Sequence, residues 1–351
     1  MLVLTKLLYS YDEVKLNLMF ALLDKKDFNK VIFWSTEIYH SGFTRELSEF
    51  SWELYYNFYA LYSNAPLYKL KCKFLHFNKT NDFTYLLQFL HILFQSDPDC
   101  DIFIVNYMVK VKNVSKITKF EKVFETIEFL LKKNKIYHII NYLKAILTQN
   151  ESEAILQYNN FMEKKNIPLF KKNIFSRNIF SQVINHFFKH MFKMKKKRIK
   201  ITKLNNKYIE YYKELNTETI STNMLQTKRH YEIEDYTGIF QLDRDSTSIT
   251  NVFHYHWEYY SKNTPYWSDK FDEFNASFKD ADIIFPNDDL LDGFYEKYNY
   301  DVDELPLDIS NKSIKKLSND RTILDFLYKY FKTINLPFNK NKIDIKSIFK
   351  I

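Results

Sequence analysis

The chain contains very little glycine, with three residues in a length of 351. An average soluble protein of this length would contain about 25. Loops that cradle phosphates and dinucleotide-binding fingerprints need several glycines close together, whereas Gly42, Gly238 and Gly293 are far apart. The sequence therefore excludes Walker-type NTPases and Rossmann enzymes.

Cysteine is also scarce, and long uncharged apolar runs are missing. The two cysteines, Cys72 and Cys100, cannot form a disulfide framework in a chain of this size, which favours a reducing compartment. The longest uncharged apolar run, 83–94, is too short to span a bilayer. The first residues lack the basic leader and the small-residue cleavage site of a signal peptide. We therefore expect a soluble protein that is not secreted.

Charge is abundant but unevenly distributed. Residues 164–209 contain 14 Lys or Arg and no acidic residue, whereas residues 232–308 contain 19 acidic residues and 5 basic ones. The remaining parts of the chain are close to neutral or moderately basic, and the net charge of the whole chain is +8. Opposite charges on one chain attract each other, so an acidic module could shield basic residues of the same molecule.

The N-terminal part has the pattern of consecutive helices. Asp27 is a suitable N-cap for a helix whose apolar residues recur every three or four positions, and Gly42 is placed as its C-terminal stop. Thr44 is a suitable N-cap for a second helix, 45–63, which ends before Pro66. Further helices are predicted at 67–77, 82–95, 101–112, 117–133, 136–148 and 152–163.

The predicted helices form consecutive pairs of roughly 35 residues, and a pair of this length cannot bury its apolar face alone. The pattern therefore predicts a mainly α fold. We expect an irregular helical bundle or an α-solenoid-like N-terminal domain, with a smaller α-rich acidic C-terminal module. Charge and helix pattern together predict four segments: a helical domain at 1–163, a basic helical connector at 164–231, the acidic α-rich module at 232–308 and a basic C-terminal segment at 309–351.

The basic connector contains the sharpest functional feature of the sequence. Apolar residues from Ile179 to Phe192 recur at helical spacing. On a continuous helix, five lysines lie opposite them within about 100° of arc: Lys189, Lys193, Lys196, Lys197 and Lys200. A short exposed strand is the alternative for 196–204. A basic ridge of this kind attracts polyanions. The predicted nucleic-acid-binding residues are Lys189, Lys193, Lys196, Lys197, Arg198, Lys200 and Lys203.

Two other interpretations of this ridge stay open. It could dock on an anionic membrane or on an acidic protein surface. It could also be a solvated face, or one that is paired with the acidic module of the same chain.

Metal-binding patterns in the sequence are weak. Cys72 and His76 are one helical turn apart and are followed by His91 and Cys100, which are ligand types that zinc accepts. However, structural zinc sites pair their ligands closely on both sides, and the second pair is nine residues apart. Buried thiols and capped histidines are therefore favoured, and no cofactor is expected.

A cluster near residue 254 is the only combination of histidine and carboxylate side chains that could support hydrolysis. On a strand, His254 and His256 would share one face, and Asp243 is close in sequence. Such groups could bind a cation and activate water, which keeps a metal-dependent hydrolase as a third hypothesis. The aromatic neighbours, including Trp257 and Trp267, favour a packed core instead. Since no nucleophile motif is present, we expect a protein that is not an enzyme.

The acid-rich run that begins at Asp280 is not a calcium-binding loop. Its sixth and twelfth positions hold Phe285 and Leu291, where an EF-hand needs glycine and a bidentate acid. The pattern instead predicts that Asp288 or Asp289 caps a helix.

Three stretches of the sequence resemble uncharacterised helical proteins encoded by nucleocytoplasmic large DNA viruses. They are Phe33–Phe43, His256–Trp267 and Phe294–Tyr298. The resemblance implies a viral protein of the host cytoplasm, in the viral factory, or of the virion. The resemblance supplies no mechanism, but the basic ridge predicts nucleic-acid binding, which in a virus would serve genome handling, transcription or packaging, with other viral proteins as further partners. The alternative is a protein-interaction scaffold or a structural component of the virion.

Overall fold

The computed structural model of the chain describes residues 3–9, 11–62, 67–108, 123–133, 135–192, 200–215 and 256–298, and the strand residues 333–334 and 343–344. Most described residues are helical, which confirms the predicted mainly α class. The helices are α1 (Tyr11–Asp24), α2 (Phe28–His40), α3 (Thr44–Phe58), α4 (Leu67–Thr80), α5 (Phe83–Gln95), α6 (Asp101–Met108), α7 (Val123–Lys132), α8 (Ile136–Gln149), α9 (Glu151–Lys164), α10 (Ile179–Met191), α11 (Asn206–Leu215), α12 (Pro265–Glu273) and α13 (Asp288–Tyr298). A shorter helical stretch covers 256–261.

Two small antiparallel hairpins accompany the helices. Strands β1 (Ser277–Lys279) and β2 (Asp282–Ile284) pair Ser277 with Ile284 and Lys279 with Asp282. Strands β3 (Thr333–Ile334) and β4 (Ile343–Asp344) pair Thr333 with Asp344. Neither hairpin was predicted, because strands of two or three residues are too short to show an alternating pattern.

The chain forms two compact units, each assembled from segments that are distant in sequence. Unit 1 comprises Met1–Phe50, Lys73–Phe94 and Thr202–Ile323. Unit 2 comprises Ser51–Cys72, Gln95–Ile201 and Leu324–Ile351. The four segments derived from charge stay a prediction.

Local sequence signals determine both ends of α2. The Asp27 side chain accepts a hydrogen bond from the Asn29 N–H at 2.9 Å, which confirms the predicted N-cap. Just beyond the C-terminal end, Gly42 has φ +89°, in the left-handed region. A Cβ added at Gly42 would lie 2.5 Å from the Cβ of Pro265. Both the backbone conformation and the available space therefore require glycine at this position.

Several predicted helix boundaries were wrong. Thr44 is the first residue of α3 rather than its N-cap, and α4 continues to Thr80 rather than ending at residue 77. Helix α3 ends at Phe58 rather than near residue 63, because the Phe58 carbonyl accepts a hydrogen bond from the Asp99 N–H at 2.7 Å instead of continuing the helix. Helix α13 begins at Asp288, but its N-cap is Asn287, whose Oδ1 accepts a hydrogen bond from the Leu290 N–H at 2.9 Å. The N-cap is thus one residue before the two aspartates that the sequence favoured.

In unit 1, the N-terminal segment completes an aromatic core. The Leu4 N–H donates a hydrogen bond to the Tyr260 carbonyl at 3.0 Å, and the Trp267 indole donates to the Thr5 carbonyl at 3.2 Å. The buried core consists of Leu4, Leu8, Trp257, Trp267, Phe271 and Phe294. This confirms the interpretation of the aromatic residues around Trp257 and Trp267 as a packed core.

In unit 2, α10 buries both apolar and polar side chains. Of the predicted apolar face from Ile179 to Phe192, the apolar residues up to Phe188 are buried, whereas Met191 and Phe192 are half-buried. The Asn185 amide donates to the Tyr56 carbonyl at 2.8 Å, and the Ser181 hydroxyl accepts from the Asn106 amide at 2.7 Å. Because buried polar groups need partners, these hydrogen bonds position α10 against α3 and α6.

Candidate nucleic-acid interface

The structure describes three of the seven residues predicted to bind nucleic acid. Lys189 lies on α10 and is half-buried, whereas Lys200 and Lys203 are exposed. Lys193, Lys196, Lys197 and Arg198 lie outside the described residues. Helix α10 ends at Met191, and residues 200–204 are neither helix nor strand. The prediction of one continuous helix through Lys200 was therefore wrong, and the calculated arc of the lysines does not apply.

The stretch without acidic residues, 164–209, contains another exposed part, which the sequence analysis did not single out. It is the connection between α9 and α10, residues 165–178, which we call the basic loop. Its basic side chains are all exposed: Lys165, Lys171, Lys172 and Arg177. Between them, Leu169 and Ile174 are 49% and 78% exposed. The loop therefore presents positive charge and apolar surface together.

A tight turn at the end of α9 fixes where the basic loop begins. Asn166 has φ 53°, in the left-handed region that asparagine tolerates. The Asn166 N–H donates to the Glu163 carbonyl at 2.9 Å, and the Ile167 N–H donates to the Met162 carbonyl at 2.9 Å. This is the Schellman arrangement, which satisfies the last carbonyls of the helix and reverses the chain direction.

The Asn159 side chain anchors the first half of the basic loop. Its Oδ1 accepts a hydrogen bond from the Phe170 N–H at 2.8 Å, and its Nδ2 donates to the Phe170 carbonyl at 3.1 Å. The Phe170 ring is buried and packs edge-on against Tyr158 and His186, with ring centroids 6.2 and 5.6 Å away. Both polar groups of the Phe170 backbone are thus satisfied, and this point of the loop is fixed.

The Gln182 side chain anchors the second half. Its Oε1 accepts a hydrogen bond from the Asn173 N–H at 2.7 Å, and its Nε2 donates to the carbonyls of Asn173 and Ser176 at 3.2 and 3.0 Å. Phe175 stacks on Trp52, with a centroid distance of 6.3 Å. Because the loop backbone is fixed in both halves, the positions from which its exposed side chains project are set before any partner arrives.

Two lysines of the basic loop already have acidic partners. Lys165 Nζ lies 2.8 Å from Glu128 Oε1, and Lys172 pairs with Glu151. The hydrogen bond from Lys165 holds the pKa of the Glu128 carboxyl below its usual range. Exposed ion pairs are worth about 0–1 kcal/mol, so a phosphate group can replace either carboxylate at little cost.

His186, beside the basic loop, does not contribute positive charge at neutral pH. Burial lowers the pKa of His186 to about 4, and the nearby charges of His190 and Lys189 add to the shift. The Tyr158 hydroxyl lies 3.0 Å from His186 Nδ1. This histidine is therefore a neutral part of the core of unit 2.

The described residues do not form a metal centre. No three His, Cys, Asp or Glu side chains within the described ranges are close enough together to hold a metal ion. His256 Nδ1 lies 3.6 Å from Asp282 Oδ1, but His254 and Asp243, the other members of the predicted cluster, lie outside the described residues. Cys100 is buried, which raises the pKa of its thiol well above the usual value.

Among the described helices, none is both long enough and apolar enough to cross a membrane. Comparison of the chain with family models, with curated proteins and with solved structures finds no match.

Proposed function

We propose that the protein binds the phosphate backbone of nucleic acid through its basic segment, residues 164–209, without reading base sequence. The observation that supports this proposal best is the basic loop, which holds four exposed basic side chains in a segment without any acidic residue. Phosphate contacts of this kind provide affinity and orientation but no sequence information. Under this proposal, the protein acts by binding rather than by catalysis and uses no cofactor.

The rigidity of the basic loop supports the same proposal. A surface that is ordered before binding loses less conformational entropy when the partner arrives. The hydrogen bonds from Asn159 and Gln182 provide this order. Lys200, which is exposed farther along the segment in the same unit, adds further positive charge. The resemblance to large-DNA-virus proteins gives this binding a role in genome handling, transcription or packaging, in the host cytoplasm or in the virion.

A specific observation favours a second candidate, a protein-interaction scaffold or virion component. Three large apolar side chains on α7, α8 and α9 of unit 2 are exposed: Phe129, Tyr137 and Leu156. Exposed apolar surface is typical of sites where proteins associate. Association with a protein partner through these helices would persist after the basic residues are reversed in charge.

Binding of fluorescent single- and double-stranded DNA and RNA across a salt series tests the proposed function. The test variant is the double substitution Lys171→Glu and Lys200→Glu. The matched control, Lys26→Glu with Lys30→Glu, changes the net charge equally but alters exposed lysines at the start of α2. Because each phosphate contact changes the slope of log K against log salt by about 0.7–0.9, the loss of two contacts should reduce the slope by about 1.4–1.8.

The control variant should retain both the affinity and the salt slope of the wild-type protein. An unchanged slope in the test variant would show that the basic segment does not contact phosphate. The absence of salt-dependent binding by the wild-type protein would refute the proposal outright and favour the scaffold.

A further inference from the structure

We infer that the basic loop selects single-stranded over double-stranded nucleic acid, because Ile174 contacts unpaired bases while neighbouring basic side chains contact phosphates. This inference rests on the proposed function and specifies its substrate. Ile174 is 78% exposed, and no large apolar side chain among the described residues is more exposed. Lys171 and Lys172 precede it and Arg177 follows it, all exposed.

The structure keeps Ile174 on the surface. Asn173 on one side and Ser176 on the other are both buried, and each is hydrogen-bonded through its backbone to Gln182. The intervening Phe175 stacks on Trp52. Ile174 therefore cannot turn inward unless these hydrogen bonds break.

Single-stranded nucleic acid matches this combination of side chains. In a duplex, the base faces are stacked inside and only base edges, sugars and phosphates are exposed, so an apolar side chain between basic ones buries much less apolar surface. In a single strand, each unpaired base exposes an apolar face beside its phosphate, and a protein can bury that face while its basic groups follow the backbone. An apolar wedge can also enter a duplex, but only after base steps are unstacked at additional cost.

An anionic membrane is the other surface that rewards basic and apolar groups together. The apolar area of the basic loop is small for this purpose, since it consists of Ile174 and the half-exposed Leu169. Even a complete myristoyl chain gives only marginal membrane binding by itself. The charge of the loop together with this limited apolar area fits a single strand better.

The experiment compares a mixed-sequence single strand with its own duplex, as DNA and as RNA, using the full chain. The test variant is Ile174→Ser. The control is Ile284→Ser, which removes an aliphatic side chain that is 44% exposed on β2, in the acid-rich stretch 232–308 of the chain. We expect the wild-type protein to bind the single strand about tenfold more tightly than the duplex, and Ile174→Ser to lose about five- to tenfold on the single strand only. The salt slope should not change, because no charge is altered.

The possible failures are distinguishable. Equal wild-type affinities for strand and duplex, or an equal loss on both in Ile174→Ser, would overturn the inference and leave the proposed function intact. A lack of salt-dependent binding to any nucleic acid would overturn both. Mixed vesicles of phosphatidylcholine and phosphatidylserine form a third arm, because phosphatidylserine is an anionic lipid of the cytoplasmic leaflet. If Ile174→Ser abolishes vesicle binding but leaves single-strand affinity unchanged, Ile174 is a lipid contact and the inference is wrong.

Discussion

The hydrogen bonds of Gln182 provide the most direct test of how the basic loop keeps its shape. This side chain is 2% exposed and makes three hydrogen bonds to the loop backbone, two to Asn173 and one to Ser176. Each is worth about 0.5–1.5 kcal/mol, and a buried backbone group left without a partner costs about 1–3 kcal/mol. We therefore expect Gln182→Ala to lower the free energy of unfolding by about 3 kcal/mol, allowing for partial relaxation of the loop.

Urea denaturation followed by circular dichroism measures this loss. Gln182→Met separates the contribution of the hydrogen bonds from that of side-chain packing, since methionine retains most of the side-chain volume but makes no hydrogen bonds. It should lose nearly as much stability as Gln182→Ala. Gln157→Ala is the matched control, because Gln157 donates only one hydrogen bond, to Glu153 on the partly exposed side of α9. Its effect should stay within about 0.5 kcal/mol.

The same variants connect loop shape with binding. At a temperature at which Gln182→Ala remains folded, we expect weaker binding to the single strand, because the loop must now be ordered during binding. If Gln182→Ala unfolds at the wild-type urea concentration, the hydrogen bonds do not hold the loop and the reasoning is wrong. If it is destabilised but binds like the wild type, the loop is not the binding surface.

Two further predictions concern buried ionisable groups. Burial raises the pKa of Glu37, whose Oε1 accepts a hydrogen bond from the Leu7 N–H at 2.7 Å. Because Glu37→Gln retains a hydrogen-bond acceptor, we expect it to be at least as stable as the wild type at pH 7. Glu37→Ala should lower the free energy of unfolding, measured by urea denaturation, by about 2 kcal/mol. Equal losses in the two variants would show that the charge of Glu37 matters rather than its acceptor. Burial also lowers the pKa of His40 and His186 from 6.5 to about 4, so the folded state binds fewer protons than the unfolded chain between these values. The free energy of unfolding should therefore be highest above pH 6.5 and fall toward pH 4, by about 1–2 kcal/mol per histidine after allowance for partial exposure. In thermal melts, a variant with both histidines changed to glutamine should lose less stability over the same pH range.

Features that depend on near neighbours in the chain were predictable. The Asp27 cap and the Gly42 stop follow from residue types at helix ends. The buried face of α10 follows from apolar spacing. These signals act within one or two helical turns, so the sequence shows both the cause and its effect.

Features that depend on distant partners were not predictable. The end of α3 follows from the hydrogen bond that Asp99 donates to Phe58, about forty positions earlier in the chain. Similarly, Leu4 and Leu8 belong to the core around Trp267, which is more than 250 positions away. Periodicity assigns each of these residues to a helix, a turn or an apolar position, but it does not identify the partner.

The basic loop combines both situations. Its charge is visible in the sequence, because residues 164–209 lack acids, but its shape depends on Asn159 and Gln182, which lie on the two flanking helices. A helix satisfies its own interior backbone, so a glutamine buried on its apolar face must find hydrogen-bond partners elsewhere. A glutamine that interrupts an otherwise apolar face, with a loop immediately before the helix, therefore indicates an anchored loop. By the same argument, the exposed positions of such a loop, here Ile174 and Lys171, are the first ones to test for binding.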